Sequence, residues 1–131
     1  MNISGAINVF KQRIIDIHTH MTFFAIAAIA EQPEENLIFW SVREVQISCE
    51  SERTHHLVGY IAWQYSGRVT SKIVTFDKQK MLVQTGSGRI YHLKGEPGTH
   101  PDGQYVWDHW SRYNQADGEV DVTEQYFDFR S

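Results

Sequence analysis

Residues 56–65 read HLVGYIAWQY and residues 81–93 read MLVQTGSGRIYHL. Both stretches are rich in β-branched and aromatic side chains, and Gly86-Ser87-Gly88 cuts the second. Glycines supply the positive φ that tight hairpin turns need, so Met81–Thr85 and Arg89–Leu93 are expected to pair back on each other. Gly67 breaks the first strand, Val69–Phe76 is the next, and Asp77-Lys78-Gln79-Lys80 is a turn. His56 to Leu93 thus reads as an antiparallel β-meander. Upstream, Leu37–Ser48 is apolar first and alternating later. Val45 and Ile47 point one way and Glu44, Gln46 and Ser48 the other, which is a strand pattern. Pro33–Asn36 and Cys49–Thr54 read as charged loops flanking it.

Outside the meander the period changes. Ile7, Phe10, Ile14, Ile17, Met21, Phe24 and Ala28 follow at alternating steps of 3 and 4, which keeps them on one helical face. Ser4 is a fitting N-cap and Pro33 a fitting stop. This predicts a long helix over Ser4–Glu31. Its face either packs on the sheet or forms a homodimer seam through Ile7, Phe10, Ile14, Ile17, Met21 and Phe24. Toward the C-terminus, Gly95–Gly103 reads as a loop on turn chemistry, Gln104–Asn114 as a short helix capped by Asp102, Asp117-Gly118 as a turn, and Val120–Phe129 as a last short element. The expected fold class is α+β: a long N-terminal helix packed on a mostly antiparallel β-meander sheet or small barrel, with a short C-terminal helix, all in one domain over 1–131.

The chain has 131 residues, enough to bury about two thirds of its unfolded surface without a metal or disulfide. Its one cysteine, Cys49, excludes an internal disulfide framework and suits a reducing, cytoplasmic compartment. The most apolar run, Met21–Ala30, is shorter than the ~20 residues a spanning helix needs, and no basic cluster precedes an apolar core at the start, so no membrane association is expected. Twelve basic against sixteen acidic residues argue against general nucleic-acid binding, which relies on phosphate neutralisation.

Motifs for chemistry are sparse. His18-Thr19-His20 resembles the paired histidines of the amidohydrolase metal site, but at helical spacing the two rings diverge by about 200°, and the chain is too short for that family's barrel. His55 and His56 are adjacent on a strand and face opposite sides. A metal- or ligand-dependent enzyme would need His92, His109 and Asp108 to converge in space, and no spacing announces that. No metal and no cofactor are therefore expected. Arg89, beside the glycine turn, is placed to read an anion. The densest feature is the C-terminal helix, where Tyr105, Trp107, Trp110 and Tyr113 crowd around Arg112. Trp, Tyr and Arg dominate binding hot spots, so these residues, with Arg89, are the candidate partner-binding set.

The strings TSKIVTFD (70–77), VQTGSGRIYHLKGEPG (83–98) and YVWDHW (105–110) resemble small accessory proteins carried by bacterial phages, prophages and plasmids. The resemblance covers about residues 70–130 and carries no catalytic residues. Members of that class block host defences such as CRISPR–Cas. What it implies is a context, a phage or mobile-element factor in a bacterial cytoplasm; the absence of a catalytic signature, the mild acidity and the aromatic density add the expectation of a non-enzymatic, inhibitory binding protein acting by protein–protein contact. The alternative from the residues alone is the small His/Asp enzyme.

Overall fold

The alternation over Leu37–Ile47 does make a strand, and in the computed structural model, which describes residues 33–129, that strand is longer than expected. β1 runs Glu34–Ile47, through the acidic stretch expected to be a loop. What holds those first residues extended is a ladder: β6, Ile90–Leu93, pairs with them in parallel from Glu34↔Ile90 to Leu37↔Leu93. Backbone pairing overrides the poor strand propensity of Glu and Asn. Further along, β1 pairs antiparallel with β2, Thr54–Ile61, on one edge and with β7, Ala116–Asp121, on the other.

A bulge makes these two roles compatible. The register on β2 moves from Ile38↔Tyr60 to Ser41↔Val58, three residues against two. Phe39 takes the extra place with φ +48. One inserted residue resets the period-2 alternation, so Leu37, Trp40 and Val42 all point into the same core.

The remaining strands are β3, Ser66–Val69, β4, Ile73–Asp77, and β5, Leu82–Thr85. The sheet has seven strands in the order β3-β2-β1-β6-β5-β4, with β7 added on β1. The one α-helix among the described residues, α1, spans Pro101–Tyr113. Leu37, Trp40, Val42, Leu57, Ile61, Val83, Tyr91 and Leu93 fill the core between the two halves of the sheet, closed by Val122 and Tyr126 of the C-terminal strap. Val45, Ile47 and Val58 form a second core with Trp107 and Trp110 under α1.

Two expectations change. The sheet is not a meander, because β1 enters its middle and pairs in parallel with β6, and the stretch expected as one strand over Val69–Phe76 is split by Thr70–Lys72 into β3 and β4. The expected fold class, a long N-terminal helix on a sheet, is corrected as well: the described residues build a mostly-sheet fold whose one α-helix is C-terminal. The seam Ile7, Phe10, Ile14, Ile17, Met21 and Phe24, with His18 and His20, lies outside the described residues.

The first turn of α1 lies directly on strand backbone, and glycine permits it. A Cβ on Gly67 would overlap the carbonyl of Asp102, and one on Gly103 would come within 2.8 Å of the Gly59 carbonyl oxygen. Gly86 lies only in ordinary contact, 3.7 Å from the Lys72 side chain. Overpacking of this kind costs about 1–3 kcal/mol or more. Gly67→Ala is therefore expected to lower unfolding stability by at least that much in urea titrations, while Gly86→Ala stays within about 0.5 kcal/mol of the parent.

Candidate functional site

Helix α1 begins one turn earlier than its apolar spacing suggests, because the signal there is a cap. His100 precedes it with extended backbone and its Nδ1 accepts from the Asp102 amide at 3.0 Å. Pro101 occupies the first turn, where a missing N–H costs nothing. Asp102 near the start and Arg112 in the last turn complement the helix dipole. Asn114 ends the helix, its side-chain amide donating to the Trp110 carbonyl at 2.9 Å.

The aromatic set on this helix divides by face. Trp107 is 1% exposed and Trp110 is buried beside it, with ring centroids 5.2 Å apart. Trp107 Nε1 donates to Glu119 at 3.0 Å, and the buried Arg43 guanidinium lies over the Trp107 ring, donating to Glu119 and to Gln104. These side chains pin the helix to β1 and β7 and leave no aromatic face for a partner. Tyr105, 64% exposed, and Tyr113, 60% exposed, point outward with Arg112. His109 lies between the two tyrosines at helical spacing and packs on Tyr105 with ring centroids 4.4 Å apart. Tyr105, His109 and Tyr113, at i, i+4 and i+8, form a continuous outward ridge. Arg89, the remaining member of the expected set, is 8% exposed and belongs to the sheet interior, not to this ridge.

On the opposite face of the sheet a second group converges, one the sequence reading did not single out. Glu44 on β1 and His55 on β2 are direct cross-strand partners. Glu44 Oε2 lies 3.0 Å from His55 Nε2, and Arg53 Nε donates to Glu44 Oε1 at 2.7 Å. His55 Nδ1 lies 2.6 Å from the Tyr126 hydroxyl. Arg53 also donates to the Gly118 carbonyl, tying the group to β7. Tyr126 is carried by the strap after β7. The Val42 amide donates to Thr123 Oγ1 and the Val122 amide to the Val42 carbonyl, both at 2.9 Å, and these bonds hold the strap against β1. The Tyr126 ring packs on Phe76 and on His55.

The electrostatics follow from the bonding. The Arg53 hydrogen bond, and then the one with His55, hold the Glu44 carboxyl below its ordinary value. Burial, reinforced by the negative charge of Glu44, pushes the Tyr126 phenol above its own. An ionised Glu44 assigns the His55 proton to Nε2, so Nδ1 is the acceptor and Tyr126 donates to it. Arg53, His55 and Tyr126 of the group line an open cleft of about 440 Å³ between the start of β2 and the edge of β4, together with Lys72, Ile73 and Val74. That volume suits a small molecule.

The other sequence candidates are placed apart. His56 faces the helix side, bonded to Thr54 and to the Thr70 carbonyl, with its ring against Trp110. His92 pairs with Glu34, His109 lies on the ridge, and Asp108 accepts from Gln104. Among the described residues no three of His, Cys, Asp and Glu are grouped as metal ligands. No helix among them is long and apolar enough to cross a membrane. Compared with protein-family models, with curated proteins and with solved structures, the chain matches none.

The Glu44–Arg53 contact has a measurable signature. A carboxyl held down in the folded state adds stability above its unfolded value near 4.5, and that stability is lost as pH falls through the lower folded value. Arg53→Ala removes the largest cause. In a ¹³C carboxyl NMR titration the Glu44 midpoint is then expected to rise toward 4.5, with a matching loss of acid-side slope in the stability curve.

Proposed function

We propose that the protein is a non-enzymatic binding protein that grips a protein partner through the outward ridge of α1. The observation that supports this most is the division of the helix. Its two tryptophans and Arg43 fasten it to the sheet, while Tyr105, His109, Arg112 and Tyr113 stay in solvent. Exposed tyrosines on a rigid helix present large amphipathic area at little entropic cost, which is what binding surfaces use. The mode is a helix laid in a groove, read by anchors four residues apart. The partner we favour is a bacterial host protein in the cytoplasm, with a defence complex such as CRISPR–Cas first among candidates. That choice rests on the resemblance of residues 70–130 to phage, prophage and plasmid accessory proteins.

The ridge itself is the test. Tyr105→Ser combined with Tyr113→Ser removes two exposed rings and leaves the buried face intact, so the melting temperature and near-ultraviolet dichroism from the tryptophans are expected to stay close to the parent. Affinity for the partner recovered from bacterial lysate should fall about 100-fold, at roughly tenfold for each anchor. Phe129→Ser, away from the ridge, should leave it unchanged. A folded double variant that still retains the same partner at parental affinity overturns the assignment of the ridge.

A further inference from the structure

The cleft beside β4 holds an arrangement that the binding ridge does not use. A carboxylate, an imidazole and a hydroxyl are joined in series by contacts of 3.0 Å and 2.6 Å, and the residues that carry the imidazole and the hydroxyl both line the cleft. This is the order of groups that activates a hydroxyl nucleophile: one residue orients a base, and the base takes the nucleophile's proton. We propose that Tyr126 is a nucleophilic modification site that accepts an acyl group from a small activated donor entering the cleft.

The step balances within named groups. Tyr126 Oη bonds to the acyl carbon, and the donor's leaving group departs with the electron pair of the bond it held. The phenolic proton passes to His55 Nδ1. The resulting imidazolium is held by Glu44, whose own charge is fixed by Arg53. Lys72, which lines the same cleft and pairs with Glu50, is the wall cation that offsets negative charge as it develops on the donor's carbonyl oxygen in this proposal. Ile73 and Val74 offer apolar surface to the body of the donor. The charged and titratable groups around the phenol are Glu44 from β1, His55 from β2, Glu50, Glu52 and Arg53 from the loop between them, and Lys72 ahead of β4. Burial, and after it the Glu44 charge, keep Tyr126 a phenol at rest, so its reactivity depends on the base and not on standing phenolate.

A latch that merely fastens the strap would need the same hydrogen bonds, so the test reads chemistry. The intact chain is treated with phenylsulfonyl fluoride, an irreversible surrogate for an acyl donor: an O–S bond forms, the S–F bond breaks and fluoride leaves. Adducts on the six tyrosines are then located by mass spectrometry over time. Tyr126 is 8% exposed, whereas Tyr65 is 82% exposed. Accessibility alone would label Tyr65 first and Tyr126 last. The proposal expects Tyr126 first, at least about tenfold ahead of Tyr65, and a drop of about 100-fold at Tyr126 in His55→Gln, whose side chain still hydrogen-bonds but is not a base. Lys72→Met tests the wall charge without touching the Glu44–His55–Tyr126 series and should slow labelling without abolishing it. Circular dichroism of each variant confirms the fold. Labelling ranked by exposure, or labelling of Tyr126 that is indifferent to His55→Gln in a folded variant, overturns the proposal.

Discussion

The bend in β1 at Phe39 is the constraint on which the rest of the described fold depends. One strand serves three neighbours: β6 before the bend, β7 after it, and β2 along the other edge. A flat strand would carry one sheet straight on. The left-handed Phe39 costs about 1–3 kcal/mol of backbone strain. That cost is offset where the extra residue turns Trp40 inward, because Trp40 is fully buried and its Nε1 donates to the Gly95 carbonyl. Without the inserted residue, period-2 alternation from Leu37 would send Trp40 to the outer face. The Lys94 amide bonding to the Leu37 carbonyl and the Gly98 amide to the Trp40 carbonyl brace the two sides of the bend.

Local signals and long-range pairing divide what the sequence discloses. The Gly86-Ser87-Gly88 turn, the period-2 alternation of β1 and the loop over Gly95–His100 are local, and the corresponding elements are present within a few residues of where the spacing puts them, whereas Gly67 and Asp117-Gly118, expected to break or turn the chain, lie inside β3 and β7. The parallel β1–β6 ladder joins residues more than fifty apart, and no local pattern encodes it. It turned an apparent acidic loop into strand and an apparent meander into a sheet centred on β1. The start of α1 is a smaller case of the same kind. Its cap is His100, not the expected Asp102, because the His100 ring nitrogen accepts from the Asp102 amide and so places Asp102 inside the first turn.

The two candidate sites were unequally legible for the same reason. Aromatic density on Gln104–Asn114 is visible in the string, but which rings face solvent depends on the sheet beneath. Gly103, Trp107 and Trp110 form the buried stripe, so the outward positions fall to Tyr105, His109 and Tyr113. In the cleft, alternation alone puts Glu44 opposite Val45 and His55 opposite His56. The register between β1 and β2 and the return of the strap bring Arg53 and Tyr126 to them, and neither is readable from spacing.

The two sites occupy opposite faces of one pair of strands, and this follows from alternation. Arg43 and Val45 of β1, with His56 and Val58 of β2, face α1; Glu44 and His55 face the cleft. The helix-side face is closed by Trp107 and Trp110, and there Arg43, Gln104, Glu119 and the Trp107 indole bond to one another. Among the described residues no helix lies over the cleft-side face. There the sheet ends at β4, and the cover those residues supply is the strap after β7, held by Thr123 and Val122 to the Val42 backbone. Glu44 and His55 are therefore set by a strand ladder, while the phenol is set by a strap anchored three and four residues away. Their alignment is fixed by backbone bonds that do not involve the three side chains, so a change at any one of them alters the chemistry of the group before it alters the fold that holds it.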